Sequence, residues 1–65
     1  MNRQEKVDFI KEYYPELYKL LEEHTPDFLE DVWNASIDSI NTYNTWVSYY
    51  CGQLLNPELM NQLLI

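Results

Sequence analysis

Apolar positions recur along this chain at steps of three and four. Val7, Ile10, Tyr14, Leu17 and Leu21 are spaced 3, 4, 3 and 4 apart, which stacks them on one helical face. Phe9, Tyr13 and Leu20 flank that row. A longer row follows: Leu29, Trp33, Ile37, Ile40, Asn44, Val47, Cys51 and Leu54, with Asn44 its one polar member. Beside it run Phe28, Val32, Ala35, Ser39, Tyr43, Trp46 and Tyr50. The last residues, Leu59, Met60, Leu63, Leu64 and Ile65, are mostly apolar. No stretch alternates with period two, and there is one glycine and no Asn-Gly or Asp-Gly turn. The pattern predicts an all-α protein.

Three prolines punctuate it, each in the frame x-Pro-acid-apolar: "YPEL" at 14–17, "TPDF" at 25–28 and "NPEL" at 56–59. Proline suits the first position of a helix, where its missing N–H has no partner to lose, and the acid beside it faces the positive end of the helix dipole. Thr25 and Asn56 can cap the helices that start after them. Tyr14 is not a good cap, and the apolar row runs unbroken across Pro15, so the expectation there is a kink or the close abutment of two short helices, about 3–13 and 15–24. Gly52 offers a left-handed helix end. The expected helices are therefore about 3–24 with a kink at 15, 26–52, and 57–64, forming a small three-helix bundle in a single domain, 1–65.

At 65 residues the chain has little core to spare. Cys51 is the only cysteine, so no internal disulfide can help, and one His with one Cys cannot make a structural zinc site. A central helix of about 25 residues would be about 38 Å long, against a radius of gyration near 11 Å for a chain of this size. That excess and the apolar last residues predict a homodimer. Leu29, Trp33, Ile37, Ile40, Val47, Leu54, Leu59, Leu63 and Leu64 are its expected core or dimer residues.

The net charge of −7 sharpens the picture because of where it lies. Residues 1–19 carry four basic and four acidic side chains and sum to zero. Residues 20–65 contain no Lys or Arg, and six of their seven acids are Glu22, Glu23, Asp27, Glu30, Asp31 and Asp38. Such a surface repels nucleic acid and anionic membranes and favours a protein partner with a basic surface. On one ideal helix residues 22 to 38 would span about 24 Å, where duplex DNA presents about 14 phosphates. Six carboxylates are too sparse to copy a duplex but enough to block a few Lys/Arg sites. The charge-free run 39–57 is too polar to span a bilayer. The early charges lack the apolar segment of a signal peptide, and a cytoplasmic protein is expected. "NAS" at 34–36 is read as a chance match to a glycosylation acceptor.

Catalytic chemistry is poorly supplied. His24 stands alone and lacks the partners that bind metals in helical bundles. Cys51 is expected to be a small core residue, since its one conventional base, His24, would be about 40 Å away along a straight helix. No phosphate loop or nucleophile motif occurs. The reading is a non-enzyme without cofactor or metal.

The uncharged stretch "NTYNTWVSYYCGQ" at 41–53 supplies Tyr43, Trp46 and Tyr49 as expected aromatic anchors for a partner. Of these Tyr49 lies off both apolar rows. In type, a small, acidic, glycine-poor helical chain resembles the stoichiometric inhibitors that phages and mobile elements direct at host nucleic-acid enzymes and defence complexes, anti-CRISPR proteins among them. That resemblance implies a viral or mobile-element inhibitor acting in the host cytoplasm, and it rests on no shared motif. The other reading is a structural or regulatory homodimeric subunit, antitoxin-like or scaffold, whose acidity serves only solubility.

Overall fold

The computed structural model describes residues 2–30 and 35–65, with the Glu30 side chain outside the description. Among the described residues there are five helices and no strand: α1 (Arg3–Tyr13), α2 (Pro15–His24), α3 (Pro26–Glu30), α4 (Ile37–Leu54) and α5 (Pro57–Leu63). The radius of gyration is 10.5 Å, with extents of 30 × 19 × 18 Å.

Each proline opens a helix. The residue before it takes nearly the same backbone state every time: Tyr14 at φ −135°, ψ 64°, Thr25 at φ −137°, ψ 55°, and Asn56 at φ −125°, ψ 82°. Proline excludes the α conformation from its predecessor, so the three repeats are one piece of local stereochemistry. At Pro15 it gives two abutting helices, the second of the two expected arrangements. Tyr14 closes α1 by donating its N–H to the Ile10 carbonyl at 2.8 Å and opens α2 by accepting from the Tyr18 N–H at 3.0 Å.

Other helix ends follow from side chains. Asn2 and Glu5 form a reciprocal capping box at the start of α1. Asn56 accepts from the Leu59 N–H at 3.1 Å. Thr25 does not cap forward as expected. Its hydroxyl, buried, donates back to the Leu21 carbonyl at 2.7 Å. Gly52 is not the helix end either: α4 runs on, and Leu55 takes the left-handed position at φ 55°, ψ 42°.

The long helix expected over 26–52 is interrupted. Ala35 and Ser36 are not helical, and Ser36 caps α4 by accepting from the Ser39 N–H at 3.1 Å. Within α4 the expected row reaches the core at Val47 and Cys51, and its members at the two ends of the helix do not. Ile37 is 78% exposed and Leu54 46% exposed, contrary to their expected core role. The buried face of α4 is instead Tyr43, Val47 and Cys51, spaced by four, which joins members of both expected rows. Leu29, Ile40 and Leu64 are half-buried and Leu59 and Leu63 buried, while Trp33 lies outside the described residues.

The core is completed by Val7 and Ile10 of α1, Leu17 and Leu21 of α2, and Phe28, whose ring stacks on Tyr43 at 4.7 Å. The main chain of residues 63–65 is held by its own chain, with Leu63 buried, Leu64 half-buried and Ile65 exposed. Lys6 Nζ donates to the Leu64 carbonyl and the Tyr43 hydroxyl to the Leu63 carbonyl, both at 2.7 Å. Asn44 donates to the Ile65 main-chain oxygen at 2.7 Å and accepts from the Ile65 N–H at 2.9 Å. At 18 residues α4 measures about 27 Å, within the 30 Å extent. Neither the helix length nor the apolar last residues thus requires a second chain.

Candidate functional site

α2 and α4 touch through two aromatic contacts. Tyr14 meets Tyr50 edge-on at 5.9 Å, and His24 stacks on Trp46 at 4.3 Å with 14° between the planes. The same two helices enclose a groove of about 390 Å³. Glu16, Lys19, Leu20 and Glu23 line it from α2, and Tyr49, Tyr50 and Gln53 line it from α4. The α2 residues sit at successive turns of one side of the helix. Leu17 and Leu21, one step round, are buried and fix which way that side faces. On α4, Val47 and Cys51 do the same for the two tyrosines.

The aromatic rings are held from the side. Tyr49, 55% exposed, packs edge-on against Trp46 at 5.8 Å, and Trp46 is half-buried beneath His24. Two torsions per ring and a neighbour on one flank leave Tyr49 little freedom to lose on contact. The groove carries a negative field. Burial first, and then the Glu16 carboxylate, push the Tyr50 hydroxyl above its ordinary ionisation range, with smaller contributions from Tyr14 and Cys51.

The acids proposed from sequence do not form one ladder. Glu22 and Glu23 are exposed near the end of α2, Asp27 on α3, and Asp38 in the first turn of α4. Asp31 and the Glu30 side chain lie outside the described residues. Asp27 has an internal task. It accepts from the Ser39 hydroxyl, which itself accepts from the Ser36 hydroxyl at 3.1 Å. The Ser39 bond holds the Asp27 carboxyl below the usual range, and it fastens α3 to the start of α4.

Tyr43 is not an exposed anchor. It is fully buried, its hydroxyl is spent on Leu63, and burial holds its ionisation well above the ordinary range. Tyr50, not Tyr43, lines the groove beside Tyr49, with Glu16, Lys19, Leu20 and Gln53. The spacing of Glu16, Leu20 and Glu23 along α2 was visible in the chain. Which helix would face them was not, because that depends on the break before Ile37.

Cys51 is buried and desolvation raises its thiol above the ordinary value. The His24 ring is engaged by Trp46. Among the described residues no group of three or more His, Cys, Asp or Glu could hold a metal ion. No described helix is long and apolar enough to cross a membrane. A second depression, about 270 Å³ and uncharged, lies over Cys51 and Gly52 beside Leu55 and Met60. The chain matches no family model, and no curated protein or solved structure is significantly similar to it.

Proposed function

We propose that this protein is a non-enzymatic binding module that docks on a basic, nucleic-acid-handling surface of another protein and blocks it stoichiometrically. The observation that carries this reading is the surface of α2 and α4. Glu16 and Glu23, with Lys19, line a groove walled by Tyr49 and Tyr50, Glu22 and Asp38 are exposed elsewhere on the same two helices, and residues 20–65 contain no Lys or Arg. Carboxylates steer a basic partner into place, and rigid tyrosines supply contact area with little ordering cost. In this reading exposed Tyr49 and half-buried Trp46 and Tyr50 are the aromatic anchors, and buried Tyr43 is not one. A phage or mobile-element inhibitor of the anti-CRISPR type is the biological form this chemistry suits best.

The test is capture of nucleic-acid-binding proteins at about 50 mM and 500 mM salt, followed by competition with their nucleic acid. Binding should collapse at high salt, the captured protein should lose its nucleic acid at one-to-one stoichiometry, and a Glu22→Lys/Glu23→Lys/Asp38→Lys variant should capture nothing. Capture indifferent to both salt and charge reversal would refute the electrostatic reading.

A further inference from the structure

The groove between α2 and α4 has a composition that selects its guest. Its walls are two tyrosine rings and Leu20, and its rim holds the carboxylates of Glu16 and Glu23. A purely apolar guest would strip water from those carboxylates without replacing it. An anion would be repelled. An ammonium group would satisfy a carboxylate, but it is strongly hydrated and has no flat surface to lay on a ring. A guanidinium has both a planar face for tyrosine and a fork of N–H donors for a carboxylate. The space, about 390 Å³ and open to solvent, suits one long side chain rather than an enclosed ligand.

We infer that this groove is an arginine site, which receives a guanidinium side chain of the basic partner on Tyr49 and Tyr50 with Glu16 or Glu23 accepting its N–H groups. The inference rests on the binding role proposed above and names its chemistry. Lys19 belongs to the same rim and is exposed. Its ammonium competes with the guest, so the groove's two carboxylates are offset by one resident cation. That makes Lys19 a diagnostic position, because its removal should strengthen arginine binding and would leave apolar docking unmoved.

The experiment is an NMR titration of the intact protein with a capped hexapeptide bearing two arginines around one leucine, and with matched lysine and citrulline peptides. The arginine peptide should shift amides of residues 16–23 and 46–53 and the Trp46 indole. It should bind about threefold to tenfold more tightly than the lysine peptide, and citrulline should produce no saturable shift. Tyr49→Ala and Glu16→Gln/Glu23→Gln should each weaken arginine binding about fivefold, Tyr49→Phe should restore it, and Lys19→Gln should tighten it about twofold. These side chains are exposed, so the variants keep the fold, and their unperturbed spectra check it. Equal affinity for arginine and lysine peptides overturns the arginine site. So do shifts centred on Glu22 and Asp38 that survive Tyr49→Ala, and both outcomes leave the broader acidic-surface reading standing. Absence of binding by either cationic peptide at low salt overturns both.

Discussion

Replacing Tyr43 by Phe removes one oxygen atom and isolates one carbonyl. Leu63 is the last residue of α5, so its C=O has no acceptor role left inside the helix. The Tyr43 hydroxyl donates to it at 2.7 Å in a fully buried position. The Phe ring keeps the packing on Phe28 and the rest of the core, so the change isolates the hydrogen bond. A buried polar group left unpaired costs about 1–3 kcal/mol. For a domain of this size each kcal/mol lowers Tm by about 4–8 °C, so a drop of about 5–20 °C is expected. Thermal melts and urea titrations followed by circular dichroism measure it, with the m-value as a check that the unfolding transition is unchanged in kind. Asn44→Ala breaks two bonds to Ile65 at an exposed site and should cost less, since water can replace them. A Tyr43→Phe loss below about 0.5 kcal/mol at unchanged m would refute the idea that residues 63–65 are held by this clasp. A cost from Asn44→Ala larger than that from Tyr43→Phe would refute the burial-based ranking.

Tyr43 also sets an alkaline limit. Its folded ionisation lies above its unfolded value because burial disfavours the phenolate, so the stability it contributes is complete below about pH 10 and is lost as pH rises through that value. Cys51 is raised by the same cause and should begin the decline near pH 9. Urea midpoints between pH 8 and 11 should fall, and Tyr43→Phe should flatten the part above pH 10. At the end of α4, Gly52 lies within the helix with nothing within 4 Å of an added Cβ, so Gly52→Ala should raise stability by about 0.5–1 kcal/mol in the same melts. Leu55, 87% exposed in the left-handed region, gains little from burial. Leu55→Gly relieves about 1–2 kcal/mol of steric cost, partly offset by glycine's unfolded-state entropy, and should raise Tm modestly. Ser39→Ala should return the Asp27 carboxyl toward its ordinary value of 3.8 in a side-chain NMR titration. Because the folded value lies below the unfolded one, the Asp27–Ser39 contribution is present above about pH 4 and lost on acidification.

Much of the local structure was legible in the chain by itself. The steps of three and four established helices, since only that period puts Val7, Ile10, Leu17 and Leu21 on one side, and all four are buried. The prolines marked three helix starts because a proline acts on its own predecessor and needs no tertiary context. Charge placement was equally plain, as it is a property of composition. Tertiary structure decided the rest. A row of apolar residues says that a face is apolar and not that the helix beneath it is continuous, and the non-helical Ala35 and Ser36 make Ile37 the first residue of a separate helix. The packing of that helix buried Tyr43, left its end residues Ile37 and Leu54 exposed, and set Tyr49 and Tyr50 in one groove with Glu16 and Glu23. It also brought Tyr43 and Asn44 to the main chain of Leu63 and Ile65, which is held within one chain. Contacts between residues 20 or more apart depend on where helices stop and how they cross, and no local periodicity carries that information.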